Sequence, residues 1–542
     1  MRMRMAIMVL ALAFGVCVSF AAGPATSPLP VDGRAWIEPA SVLLHWTPPE
    51  GNPSPIDRFI VRLDPNPAAI IDPDGEATYG GSTEADAPSF VIGALERDRT
   101  YYWRVDTVLE DATVVTGDVW SFTTERIDIP GAVIDFSPDP ENIYYMSPAI
   151  AALPDDTFVA AHDVSGAGGA HTMLLESRDG GINWREISQV APLHWASLFF
   201  HNDALYLMGD SGGGANSRCV IHRSDDGGHT WTSADDENTG VLFPDTGYHT
   251  APVPVVVYDG RIWRAMEDRQ DPGDWAAYFR AFVMSAPEDA DLLVASNWTA
   301  TNRLSFDEDT WLGTGWLEGN AVVTPDGDVV NILRVAGAIP SLFVVESAAV
   351  VHVSDDGLTA TFDPQNDFID FPGGGVKFTI RYDEATDLYW SLVNTQRDPY
   401  AMRNRLCLTA SADLVTWTVV SEILYSLDPV FHAWQYVDWL FDGDDIVFVS
   451  RTAHPMGGGV MPHGYHDANF TTFHRIENYA DLLETDDDMT DDDADDDADD
   501  DADDDADDDM TDDDANDDKD DDEGHDGVGG DSDGGGDSGC GC

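Results

Sequence analysis

Residues 316–334 read WLEGNAVVTPDGDVVNILR. Ala321–Thr324 and Val329–Leu333 are short apolar and β-branched runs, and Asp326-Gly327 between them carries the signature of a hairpin turn with positive φ angles. The stretch predicts two antiparallel strands. Such pairing brings Glu318, at the start of the first strand, and Arg334, at the end of the second, to one sheet edge. A carboxylate and a guanidinium side by side at a sheet edge can form a reactive site.

The pattern recurs at 148–163, 196–210, 251–268, 378–394 and 437–451, giving six copies spaced by roughly 50 to 65 residues, the length of a four-stranded propeller blade with its loops. A second element follows most copies: SRDGGINW at 177–184, SDDGGHTW at 224–231, a shortened SADLVTW at 411–417 and a weaker SDDGLTATF at 354–362. In each, the aspartate can bond its own turn, the glycines permit left-handed angles, and the terminal aromatic can pack between neighbouring sheets. The expected fold is all-β, a six-bladed β-propeller over 127–480, closed by Phe470–Ile476 against the segment 127–136.

In that topology the segments before each first strand and the loops after each second strand emerge on one face, where function is expected. The face gathers His171, Trp195, Asp210, His249, Glu267, Glu318, Arg334, Arg403, Tyr436 and Arg451, among others. Aromatic rings stack on sugar faces, and a guanidinium fork grips a carboxylate in two places. This mixture suits an acidic sugar.

The Ser-x-Asp-x-Gly-x-Thr-Trp element resembles the Asp box of sialidases and related propellers, a resemblance spanning about residues 130–480. It implies roles for particular residues. Glu318, Asp326 and Arg334 keep the eight- and sixteen-residue intervals of a family repeat, in which the glutamate polarises a tyrosine and the arginine holds the substrate carboxylate. Arg403, in the sequence RNRL, matches a second carboxylate-binding arginine, and Tyr436 matches the nucleophile, although it stands two residues closer to its Asp442-Gly443 turn than the family has it. Two positions depart from the pattern. The first repeat reads Tyr145-Met-Ser-Pro148, with Met146 where the family has its first arginine. The family's acid/base has no clear counterpart either; Asp163 is the candidate, with His171 in the same region.

The resemblance implies a retaining exo-α-sialidase-like glycoside hydrolase acting on a terminal acidic sugar. A hydrolase or lyase acting on a uronic or other acidic polysaccharide sugar, and a non-catalytic glycan-binding propeller, are the alternatives. No cofactor is expected. The histidines at 454, 463, 466 and 474 fit no zinc spacing, so no metal is expected either.

Outside the repeats, 1–21 reads as a secretory signal: arginines, an apolar stretch and small residues. This implies a secreted or cell-surface protein, and no later apolar run is long enough for a membrane span. Residues 27–125 alternate apolar and polar positions between Pro and Gly turns. With Trp46 early and the Tyr101, Trp103 and Val105 strand late, they resemble a fibronectin type III β-sandwich, on which Trp36 or Trp120 could stack on sugar if exposed. Residues 484–542 are an Asp-rich tail with a Gly/Cys end, expected to be disordered and to bind cations only weakly. There are 101 acidic against 27 basic residues, a formal charge of −74, and only two lysines, Lys377 and Lys519, a surface that repels nucleic acid and anionic membranes and reads as a solubility adaptation; the expected carbohydrate partner rests on the aromatics and arginines of the site face. Cys219 and Cys407 precede Asp boxes at similar offsets, and both are expected as buried free thiols.

Overall fold

The computed structural model describes residues 23–72, 76–212, 216–269, 276–337, 346–395 and 403–483. The expected signal sequence at 1–21 and the expected disordered tail at 484–542 lie outside these residues. No described helix is long and apolar enough to cross a membrane.

The chain is almost entirely β. From residue 132 onward the strands form six successive sheets, here I to VI, an arrangement consistent with a β-propeller. Sheet I runs Ile143–Ala152, Phe158–Gly166, His171–Ser177, Arg185–Val190, and sheet II runs His194–His201, Ala204–Asp210, Cys219–Ser224. In sheet III, Tyr248–His249 and Val255–Tyr258 both pair with Arg261–Arg269, which pairs with Phe279–Pro287. Sheet IV begins Gly315–Val323, Val329–Ala336, Ser347–Val353, and sheet V runs Thr379–Asp383, Leu388–Val393, Arg405–Ser411, Thr418–Tyr425. Sheet VI joins Ala433–Asp442, Asp445–Ala453 and Phe470–Ile476 to Ala132–Phe136, so strands far apart in sequence complete one sheet.

Polar side chains on the first strands tie neighbouring sheets together. Ser197 Oγ accepts the Val253 amide at 3.0 Å, Asn320 Oδ1 accepts the Ile380 amide at 3.0 Å, and Asp438 Oδ2 accepts the Ile150 amide at 3.0 Å. These residues are buried, and each satisfies a backbone group that the sheet ladders leave open. The Asp boxes act as turn clamps. Ser177 Oγ donates to Asp179 and accepts from Gly181, and Trp184 Nε1 donates back to Gly181 O; Ser224, Asp226, Gly228 and Trp231 repeat the pattern. In the shortened box, Leu414 takes the left-handed angle, φ 64°, that glycine holds elsewhere.

The Asp326-Gly327 turn departs from expectation. Only Gly327 has positive φ, 89°, and Thr324 O accepts its amide at 2.9 Å, whereas Asp259 and Gly260 in sheet III are both left-handed. The extra residues of a longer loop let Asp326 keep an ordinary angle.

Two N-terminal sheets, one of three strands including Ser41–Thr47 and one including Ile56–Asp64 and Thr100–Leu109, bury Trp46, Phe59, Tyr101, Trp103 and Phe122 in one cluster. They dock on sheet VI. Arg34 Nη2 donates to Val133 O at 3.1 Å and also to Ile134 O, and Trp36 packs edge-on against Phe470 with centroids 5.1 Å apart. Trp36 and Trp120 are each only 8 % exposed, the latter beside Trp103, so neither is a sugar-stacking platform. Both rings spend their faces on packing. Cys219 and Cys407 are buried free thiols on the third strands of sheets II and V.

Candidate active site

The first strands of sheets I, II, IV and VI share one irregularity. Their register with the second strand shifts between Met146 and Ala149, His194 and Ser197, Leu317 and Asn320, and Gln435 and Asp438. Each bulge contains one left-handed non-glycine residue: Ser147 (φ 48°), Trp195 (54°), Glu318 (58°) and Tyr436 (54°). That conformation costs about 1–2 kcal/mol for an ordinary side chain, and bulges re-aim side chains. The same strained bulge recurs in four sheets, and two of its four left-handed positions are Glu318 and Tyr436.

The bulges bring those two residues together from sheets IV and VI. Tyr436 Oη donates to Glu318 Oε1 at 2.6 Å, and both residues are 3 % exposed. Arg334 Nη1 donates to Glu318 Oε2 at 2.8 Å and reaches Tyr436 Oη at 3.4 Å, while its Nε donates to Gly375 O at 2.9 Å. Burial pushes the Glu318 pKa up, but the Arg334 charge and the hydrogen bonds from Tyr436 and Arg334 outweigh it and hold the carboxyl below its usual value. Arg334 is partly buried, which lowers its pKa, yet Glu318 beside it outweighs this and raises it. The trio is therefore an ionised base against a phenol, with a cation bridging both. Such a pair can pass a proton from the phenol to the carboxylate as the phenolic oxygen attacks an electrophile.

Two further guanidinium groups flank the tyrosine ring. Arg403 lies 5.3 Å and Arg451 5.0 Å from its centroid. Arg403 Nη1 donates to Gln435 Oε1, and burial lowers its pKa. Lys377 sits under the same strand, its Nζ donating to Val437 O at 2.7 Å and Thr379 Oγ1 at 2.6 Å, and burial lowers its pKa to about 8.

A charge division runs across this face. The second-strand residue paired with the position just before each bulge is Asp163 in sheet I, Asp210 in II, Arg334 in IV and Arg451 in VI; in sheet III, Glu267 pairs with His249 in the same way. Sheets I to III thus present acids, and sheets IV and VI present arginines.

The structure brings together Glu318, Arg334, Arg403 and Tyr436 as expected from the sequence. Asp163 makes none of these contacts. Its Oδ1 accepts from Thr172 Oγ1 at 2.7 Å and its Oδ2 from the Trp195 amide at 2.7 Å, and it is 1 % exposed. Burial raises its pKa against the pull of His194 and those hydrogen bonds. Asp163 holds the sheet II bulge in place. His171 stands half-buried at the start of its strand, and burial lowers its pKa. Met146 is buried opposite Asp163, so the sheet I position expected for an arginine carries no charge. Among the described residues no cluster of metal-binding side chains occurs.

The sequence placed Arg451, His249 and Glu267 on this face but gave none of them a role and did not pair the last two. Arg451 had a signal: it stands fifteen residues after Tyr436, nearly the interval from Glu318 to Arg334. The Tyr436 spacing to its turn is absorbed beyond the bulge, where Asp442 pairs directly with Asp445 while sheet IV closes at Val323 and Val329.

No family model matches the chain, and no curated protein matches it by sequence. Among solved structures it is similar to a Hadza microbial sialidase, with 12% identity, a TM-score of 0.45, and 83% of this chain and 95% of that one covered. It is also similar to the Penicillium chrysogenum α-L-arabinanase complexed with arabinobiose, at 15% identity, TM-score 0.41, and 65% and 99% coverage. The Trypanosoma rangeli sialidase is similar at 13% identity, TM-score 0.41, and 69% and 57% coverage. These likenesses concern the fold.

Proposed function

We propose that this protein is a secreted, retaining exo-glycosidase of the sialidase type that removes a terminal acidic sugar. The observation that carries the reading is the 2.6 Å contact between Tyr436 Oη and Glu318 Oε1, bridged by Arg334. Tyr436 is the nucleophile and Glu318 its base. An aryl oxygen suits a substrate with a carboxylate beside the reacting carbon, because a neutral attacker avoids charge repulsion. Arg334 and Arg403 grip that carboxylate.

The architecture that goes with this reading is a six-bladed propeller over 127–480, preceded by a fibronectin type III-like sandwich at 27–125 and followed by the acidic tail, with 1–21 directing export. Met146 favours a second reading of the substrate. With an uncharged side chain in sheet I, the family's first arginine is missing from its place while Arg451 adds a cation in sheet VI, so the carboxylate is gripped from a different side and a uronic acid, whose carboxylate sits farther from the anomeric carbon, then fits as well as a sialic acid.

A screen of the purified protein on aryl glycosides of sialic and hexuronic acids decides between the two. Release of aryl alcohol with retained anomeric configuration supports the glycosidase. Saturable glycan binding with no cleavage of any acidic glycoside sinks it in favour of a binding propeller.

A further inference from the structure

We propose that His249, oriented by Glu267, is the group that exchanges a proton with the leaving-group oxygen, the role for which the sequence offered Asp163 and His171. The inference rests on the glycosidase reading above and supplies its missing acid/base.

The two residues are cross-strand partners in sheet III. His249 Nδ1 lies 3.3 Å from Glu267 Oε2, and the other oxygen of Glu267 accepts the Gly319 amide at 3.0 Å. Glu267 is thus clamped to the residue that follows Glu318. A Cβ at Gly319 would collide with the Asn331 side chain, so this position packs too closely for any larger residue. The imidazole is held on two sides, stacked on Phe279 with centroids 4.3 Å apart and tilted against Trp195 at 4.8 Å. The segment just after it carries Ala251 and Val253, which pack directly against Tyr436. Glu267 across the ladder and Glu318 from sheet IV both bear on the imidazole, which is 2 % exposed, and the ionisation of Glu318 in turn feels His249.

The position fits the charge division of the face. A substrate carboxylate drawn to Arg334, Arg403 and Arg451 in sheets IV to VI leaves the scissile oxygen toward sheets I to III. Asp163, in sheet I, has both oxygens committed to Thr172 and the Trp195 backbone. The His249–Glu267 pair has the arrangement of an acid/base and its orienting carboxylate.

The proton balance closes. As Tyr436 Oη bonds to the anomeric carbon, its proton passes to Glu318; the anomeric C–O bond breaks with its electron pair on the leaving oxygen, which takes the proton of the His249 imidazolium. In the second half, neutral His249 takes a proton from water, the water oxygen bonds to the anomeric carbon, and Tyr436 leaves and recovers its proton from Glu318. The net reaction is hydrolysis with all three side chains restored.

The test compares wild type, His249→Asn and Tyr436→Phe on a dinitrophenyl glycoside and a methyl glycoside of the same acidic sugar. The dinitrophenolate leaves without a proton, and the methoxide does not. His249→Asn is expected to lose about 10²-fold or more in kcat/KM on the methyl glycoside and under about tenfold on the dinitrophenyl one, whereas Tyr436→Phe loses turnover on both. A His249→Ala variant is expected to regain methyl glycoside turnover with imidazole in the buffer, which a purely structural role does not allow. Equal losses of His249→Asn on both substrates, or no loss on the methyl glycoside, overturn the assignment. If Tyr436→Phe stays active while the leaving-group selectivity of His249→Asn holds, the nucleophile reading fails and His249 stands. No cleavage of either substrate by wild type overturns both.

Discussion

Glu318 and Tyr436 lie 118 positions apart on different sheets, yet each occupies the left-handed position of an equivalent bulge, and their oxygens meet at 2.6 Å. The strained backbone is what points both side chains inward at one another. Replacing Glu318 by Gln keeps the size and a hydrogen-bond acceptor but removes the proton acceptor. The expected result is a fall in kcat of about 10²- to 10⁴-fold with KM little changed, read from steady-state kinetics. A variant that keeps wild-type kcat shows that the carboxylate is not the base.

Arg334 and Arg403 differ in what they hold. Arg334 stabilises the charge of Glu318, whereas Arg403 contacts Gln435 and the Tyr436 ring. Arg403→Ala is expected to raise KM for acidic sugars by about 10- to 10²-fold, through loss of a charge-assisted contact, and to affect kcat less. Arg334→Ala does this too and also lets the Glu318 pKa rise. The base then stays protonated to higher pH, so the acidic limb of the kcat profile moves up. A pH–rate series on both variants separates the two roles.

Asp163 has a structural job, tying Thr172 and the Trp195 amide. Asp163→Ala leaves the buried Trp195 amide without its acceptor, while Thr172 Oγ1 keeps Leu193 O at 3.2 Å, and is expected to cost about 1–3 kcal/mol in urea unfolding. Its activity loss is expected to be the same on good and poor leaving groups. A loss confined to poor leaving groups makes Asp163 the acid after all.

His474 sits in the closing strand of sheet VI, stacked on Phe448 with centroids 4.5 Å apart, and burial lowers its pKa to about 3 from 6.5. A depressed folded-state pKa means that the unfolded chain binds the proton first. The stability this histidine contributes is present above about pH 6.5 and is lost as pH falls toward 3. His474→Phe is therefore expected to flatten the fall in stability over that window, followed by urea midpoints at successive pH values. An unchanged slope means the residue is not the acid-sensitive group.

The hairpin repeat, the Asp boxes and the Glu318-to-Arg334 interval were legible because they rest on period-two alternation and on turn chemistry, both written in local sequence. The bulges were not. A left-handed Glu318 or Tyr436 has no local marker; the angle is imposed by neighbouring strands and by contacts from other sheets, such as Glu267 to the Gly319 amide. Sheet III reads as one long first strand from Ala251 but is broken between His249 and Val255, because Pro252 and Pro254 cannot donate to the ladder. That break leaves His249 in a short strand of its own, which hid its pairing with Glu267. Trp36 and Trp120 failed as surface aromatics for a similar reason: what covers them is more than ten residues away in sequence.

The central claim is that Tyr436 is a nucleophile activated by Glu318. It is tested most directly by removing one oxygen. Turnover and binding of Tyr436→Phe are measured beside wild type on an acidic aryl glycoside that the wild type cleaves. For an activated Tyr436, kcat is expected to fall by several orders of magnitude while the dissociation constant for the acidic sugar stays within a few-fold, since Arg334 and Arg403 remain. Near-normal turnover by Tyr436→Phe contradicts the claim.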